Sequence, residues 1–95
     1  MDDRVAIVTG ASQGIGRATA IRLARDFAAV VLVARSEEKL RETEREVVAA
    51  GARALVVPAD LGEASAANEV VSQVIAALGR VDALVNIAGA VTLGV

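Results

Sequence analysis

Short apolar runs without polar alternation constrain the fold of this chain most strongly. They occupy residues 4–8, 29–34, 54–59 and 81–88, and the second of them (AVVLVA) contains no polar side chain. Runs of this length, rich in valine, are typical of strands that are buried on both faces. Pro58 near the end of the third run suits an edge strand. We therefore expect four strands in one largely buried sheet.

Helical patterns separate these runs. The first helix starts at Gly14 and has apolar residues at Ile15, Ala18 and Ile21. The second covers residues 37–50 between the N-cap Ser36 and Gly51, with a narrow apolar stripe at Leu40, Val47 and Val48. The third ends at Gly79 and is the most regular, with apolar positions at Ala67, Val70, Val71, Val74, Ile75 and Leu78. Each of the first three strands is thus followed by a helix.

Repeated strand-helix units require right-handed crossovers and a parallel sheet with helices on both faces. The predicted class is α/β, with about four strands and three helices. The first half of a doubly wound sheet has strand order 3-2-1-4, which leaves the fourth strand at an edge. We expect such an edge to promote association into a homo-oligomer.

Composition excludes several functions. The 95 residues make one unit, and the net charge of −2 comes from basic residues scattered among acids. Nucleic acid and membrane are therefore not expected partners, and no apolar run approaches the ~18 residues of a membrane span. Without Cys or His, no metal site is expected. The start MDDRVAIVTG is unlike a targeting peptide, so the expected location is cytoplasmic.

The stretch TGASQGIG, residues 9–16, lies between the first strand and the first helix. Unpaired N–H groups and the helix dipole favour an anion at such a point. Gly10 would permit a tight turn, Gly14 a close approach to a pyrophosphate, and Gly16 tight packing of helix on strand. A glycine-rich turn without a ligand remains the alternative, whereas the Gly-Lys-Ser/Thr of a P-loop is absent.

This G-x-x-x-G-x-G loop, with Thr9 before it, resembles that of the short-chain dehydrogenase/reductase family. Three further segments agree with the family, each following a strand: residues 34–35 (AR), 60–61 (DL) and 86–89 (NIAG). The resemblance spans the whole chain but only the amino-terminal part of a family member. It implies a Rossmann-type sheet, so residues 1–95 would form a partial dinucleotide-binding domain that lacks the catalytic part.

Carried over residue by residue, the resemblance implies that the cofactor is bound by Gly10, Ser12, Gln13, Gly14, Ile15, Gly16, Arg35, Asp60, Leu61, Asn86, Ala88 and Gly89. Ile87 replaces the commoner second Asn of the family turn. Phe27 stands where relatives often have Gly after the first helix. A left-handed residue there would cost roughly 1–2 kcal/mol of strain, and an altered turn is the alternative.

The residue that ends the second strand bears on which cofactor is bound, NAD or NADP. In such folds an acid about 20 residues past the glycines binds the ribose 2′-OH and repels a 2′-phosphate. Here that position is Ala34, and the next residue, Arg35, can pair with a phosphate. NADP is therefore the predicted cofactor, with NAD as the alternative because NADP-preferring relatives often have a basic residue at the position of Gln13. Two alternatives to cofactor binding also remain open: Arg35 is only a solvated charge, and Asp60 is a helix N-cap.

The resemblance implies that the family's reaction is hydride transfer between nicotinamide and a small carbonyl or alcohol, catalysed by a Tyr, a Lys and a Ser. The chain has no Tyr, and its one lysine, Lys39, lies on the exposed second helix. We assign no catalytic residue and expect the 95 residues alone to be inactive. The predicted function is the NAD(P)-binding part of an oxidoreductase; the alternatives are a non-catalytic nucleotide-binding module or a self-associating fragment.

Overall fold

A computed structural model describes residues 3–63 and 65–87. Along the chain the elements are β1 (Val5–Thr9), α1 (Gly14–Leu23), β2 (Ala29–Ala34), α2 (Glu37–Ala49), β3 (Arg53–Pro58), α3 (Ala66–Leu78) and β4 (Ala83–Val85). All strand pairs are parallel, and the order across the sheet is β3-β2-β1-β4. The α/β class and the strand order are therefore confirmed, with β3 and its Pro58 at an edge of the described sheet.

The sheet separates two apolar cores. Alternate strand residues point to opposite faces, so a strand covered on both sides must be apolar throughout. On one face, residues from β1 and β2 pack with α1 and α2; they include Val8, Val30, Leu32, Leu40 and Val47. On the other face, the alternate strand residues pack with α3; they include Ile7, Val31, Val33, Val70 and Val74. The helices thus cover both faces, as the strand pattern predicted.

The strand β4 is shorter than the expected residues 81–88. Before it, the Asp82 carboxylate accepts a hydrogen bond from Val5 N–H at 2.8 Å. The Arg80 guanidinium, followed by that N–H, lowers the pKa of Asp82 below its ordinary 3.8. After β4, Ile87 N–H donates to the Thr9 hydroxyl at 2.8 Å. Side-chain bonds therefore lie at both ends of β4, beside the backbone bond from Asp82 N–H to the Val5 carbonyl at 2.8 Å, and residue 88 lies outside the described part.

The predicted apolar face of α1 is wrong at Ile15 and Ala18, which are exposed, whereas the half-buried Ile21 packs against the core. Ile15 is 74% exposed, and the buried residues of the helix are Gly16 and Ala20. A Cβ on Gly16 would overlap the carbonyl of Gly10, so the helix approaches the loop too closely for a larger side chain. Gly16 and Ala20, rather than Ile15 and Ala18, therefore face the sheet in the first turns of the helix.

The other two helices bury narrower faces than predicted. In α2, Val48 is 55% exposed and Thr43 is fully buried in its place. In α3, Val71 and Ile75 are 43% and 47% exposed. Because a single sheet covers each helix from one side only, the outer part of each stripe remains in solvent.

The predicted helix ends agree with the structure better than the predicted helix faces do. The Ser36 hydroxyl accepts from Lys39 N–H at 3.3 Å, and Gly79 ends α3 with a φ of 82°. After α1, the cap Ala24 is right-handed with a φ of −61°, and Phe27 N–H bonds to Leu23 C=O at 3.0 Å. A left-handed Phe27 and an altered turn therefore both stay predictions for the segment before β2. In the part of the chain described, no helix is both long and apolar enough to cross a membrane.

The contact of α1 with the glycine loop predicts an unequal cost for two glycine substitutions. Gly16→Ala should lower the free energy of unfolding by about 3 kcal/mol or more, because the methyl group meets rigid backbone. Gly79→Ala is the control: its Cβ would meet nothing within 4 Å, so only left-handed strain of about 1–2 kcal/mol is expected. Urea denaturation measures both losses. Equal losses would contradict the close packing.

Candidate functional site

An open cleft of about 1160 Å³ lies where the strands end and α1 begins. Every predicted site residue in the described part of the chain lines it: Gly10, Ser12, Gln13, Gly14, Ile15, Gly16, Arg35, Asp60, Leu61 and Asn86. The other two, Ala88 and Gly89, lie outside the described residues. Segments that are far apart in the sequence thus meet because parallel strands end at the same edge of the sheet.

The glycine loop presents bare backbone to this cleft. Gly10 and Gly14 are left-handed, with φ of 64° and 60°, and a Cβ on Gly14 would meet nothing within 4 Å. At the start of α1, the N-cap Gln13 makes no side-chain cap, and the first turn contains no acid. First-turn N–H groups lack partners within a helix and attract anions. The loop therefore fits a pyrophosphate.

Thr9 connects the end of β1 to the segment after β4. This residue is only 4% exposed. Its hydroxyl donates to Asn86 Oδ1 at 2.8 Å and accepts from Ile87 N–H. The two bonds use the donor and one acceptor site of the hydroxyl. Thr9 therefore fixes the direction of the Asn86 carboxamide at the wall of the cleft.

Thr43 holds the glycine loop from the opposite side. This fully buried residue of α2 donates from Oγ1 to the Ala11 carbonyl at 2.9 Å. Sequence reasoning missed it, although its spacing from Leu40 and Val47 places it within the apolar stripe. A polar residue at a core position was the available signal, because a buried hydroxyl requires a partner.

Arg17, on the helix that follows the glycine loop, is neutralised by acids of α2. Arg17 joins α1 to α2 through Glu46 and, at 3.6 Å, Glu42. The hydrogen bond that Arg17 donates to the Glu46 carboxylate raises the pKa of Arg17. Arg35, in contrast, is exposed and forms no ion pair with residues of the described ranges. It is thus available to an anionic ligand.

Lys39 also lines the cleft, which its place on an exposed helix did not suggest. Its Nζ donates to Gln13 Oε1 at 3.1 Å and so joins the starts of α2 and α1. The sequence placed Lys39 and Gln13 correctly on their elements. Their proximity depends on how the two helices pack.

Asp60 does not cap α3. That helix begins at Ala66 after the N-cap Ser65, whereas Asp60 Oδ1 accepts from Gly62 N–H at 2.9 Å in a local turn. The N-cap alternative for Asp60 is therefore wrong. With Leu61, it forms the cleft wall that follows β3.

Comparison with known proteins agrees with this arrangement. The family model for short chain dehydrogenase matches residues 4–95. A short chain dehydrogenase of Pseudocercospora fijiensis is 45% identical over 94 residues, covering 99% of this chain and 30% of the relative. A metagenomic short-chain oxidoreductase, solved in complex with NADP, is 50% identical with a TM-score of 0.87, covering 95% of this chain and 41% of the other. An NAD⁺-bound xylitol dehydrogenase is 34% identical with a TM-score of 0.82, covering 87% and 32%.

The chain spans about a third of the length of the curated relatives it matches. The match covers the glycine loop and the three segments that follow β2, β3 and β4. The chain has four parallel strands and three helices, so its similarity to these proteins extends to the Rossmann-like fold. The chain belongs to the short-chain dehydrogenase/reductase family, of which it represents the amino-terminal, nucleotide-binding region.

Proposed function

We propose that this chain is the NADP(H)-binding part of an oxidoreductase that acts on a small carbonyl or alcohol. The observation that carries the proposal is that one cleft contains both a bare glycine loop and an arginine, Arg35, that forms no ion pair with any described residue. The NADP complex of a protein 50% identical supports it. The neutral Gln13 and the NAD⁺-bound xylitol dehydrogenase favour NAD as the second candidate.

The cleft residues have separate roles in this proposal. Gly14 and the first turn of α1 would hold the pyrophosphate, because both present backbone without side-chain obstruction. Asp60 and Leu61 would contact the adenine, and Asn86, oriented by Thr9, the nicotinamide side. When bound, the nicotinamide supplies or accepts the hydride. The roles of Ala88 and Gly89 and the cytoplasmic location stay predictions.

Arg35 should determine the choice of cofactor. The intact protein should use NADP(H) at least about tenfold better than NAD(H), since a charge-assisted bond is worth roughly 1.5–3 kcal/mol. Arg35→Ala should narrow this preference and leave kcat/KM for NAD(H) nearly unchanged. Arg53→Ala is the control, because Arg53 is exposed at the opposite end of the sheet. Steady-state kinetics with both cofactors test this, and a preference for NAD(H) would refute it.

The 95 residues alone should not catalyse hydride transfer. The chain has no tyrosine or histidine, and its only lysine bonds to Gln13. An acid/base group suited to a carbonyl oxygen is therefore missing from the chain. Absorbance at 340 nm with saturating NADPH and a panel of carbonyl substrates measures the rate, which should equal that of buffer. Turnover that survives repeated purification would show that the acid/base assignment is wrong. An inactive intact protein would instead support a non-catalytic nucleotide-binding module.

Self-association is proposed from the exposed edge of the sheet. Among the described residues, β4 pairs with β1 alone, and Leu84 in its centre is 62% exposed. Open strand edges with apolar side chains pair readily with another chain. We expect sedimentation of the 95-residue chain to show dimers or larger species, and Leu84→Lys to shift them toward monomer. A monomer at all concentrations would contradict the proposal.

A further inference from the structure

We propose that Lys39 is a second phosphate-binding residue of the cleft and, with Arg35, determines specificity for a nucleotide that carries a 2′-phosphate. The inference rests on the proposed NADP(H) function and adds a residue from α2 that the sequence had placed outside the site. It is carried by the position of the Lys39 ammonium group and by the distribution of charge around it.

The position follows from the start of α2. Lys39 lies in the first turn, where its N–H is bonded to the N-cap Ser36 at 3.3 Å. Its side chain extends to Gln13 Oε1, at 3.1 Å from Nζ. Gln13, Arg35, Ser36 and Lys39 all line one cleft. The ammonium group is therefore held at the wall that the glycine loop and the end of β2 share.

The bond to Gln13 leaves binding capacity. An ammonium group has three donors, and one neutral amide oxygen satisfies only one of them. A phosphate oxygen is a stronger acceptor than an amide oxygen because it is charged. Lys39 can therefore exchange Gln13 for a phosphate, or bind both, with a change in side-chain rotamer alone.

Ion pairs neutralise several other cations of α1 and α2, whereas Lys39 and Arg45 form none among the described residues. Arg17 pairs with Glu42 and Glu46, and Arg41 pairs with Glu37 at 3.1 Å and Glu44 at 3.2 Å.

Lys39 and Arg35, in contrast, form no ion pair within residues 3–63 and 65–87. The one acidic residue among the described lining residues is Asp60, which follows β3. Two unneutralised cations on one wall favour a dianionic phosphate monoester.

Two probes that differ only in the 2′-phosphate test the inference: 2′,5′-ADP and 5′-AMP. Isothermal titration of the intact protein that contains this chain gives Kd for each. Lys39→Met keeps most of the apolar stem of the side chain. It should raise Kd for 2′,5′-ADP roughly three- to tenfold and change Kd for 5′-AMP by less than twofold. Lys39→Arg keeps the charge, so its Kd for 2′,5′-ADP should stay within about threefold of the wild-type value.

Arg45→Met is the matched control. It removes a cation from the same exposed helix, but Arg45 does not line the cleft, so neither Kd should change. Raising the salt concentration should weaken 2′,5′-ADP binding to wild type more steeply than to Lys39→Met.

Three outcomes would overturn the inference. Equal weakening of both probes by Lys39→Met would show that Lys39 only supports the loop, and no weakening would show that it does not bind. A loss in Lys39→Arg as large as in Lys39→Met would exclude a charge effect. The proposed NADP(H) preference is tested separately by wild type: if it binds the two probes equally, that proposal and this one both fail.

Discussion

The approach of Gly16 to the carbonyl of Gly10 is the constraint on which the rest of the site depends. It allows no Cβ at position 16, and it brings the first turn of α1 against the loop that follows β1. Ala20, one turn further on, continues the same small-residue face against the sheet. Because the helix lies so close, its unpaired N–H groups open onto the end of the sheet, where a phosphate can reach them.

Buried hydroxyl groups then hold this loop in one conformation. Ala11 N–H bonds to Val33 C=O at 3.2 Å, and the Ala11 carbonyl accepts from Thr43. Thr9 makes the equivalent connection toward β4. Neighbouring elements on both sides of the loop thus contribute a bond. A loop ordered before the ligand arrives loses less conformational entropy on binding, which favours affinity.

Charge differs between the helix surfaces and the cleft. Three arginines of the helices, Arg17, Arg22 and Arg41, pair with nearby acids. Such exposed pairs stabilise the fold little, because solvent screens them. The two cations among the described lining residues of the cleft, Arg35 and Lys39, form no ion pair with described residues. The proposed specificity for a 2′-phosphate arises from this contrast rather than from the total charge.

The sequence by itself determined the α/β class, because strands buried on both faces need continuous apolar runs. The strand order followed from the pattern of a doubly wound sheet, and the cleft residues after β2, β3 and β4 followed from the resemblance to the family. The glycine loop, Ser36 and Gly79 were also predictable, since their roles are local.

Only the tertiary structure decided which helix faces are buried and which distant side chains meet. Ile15 fits an apolar stripe but is exposed, because the tight contact at Gly16 sets the rotation of α1. Thr43 and Lys39 belong to the site through the packing of α2 against α1, which sequence spacing does not encode. Helical periodicity describes a face of one element; which neighbour that face meets depends on the close packing of the whole domain.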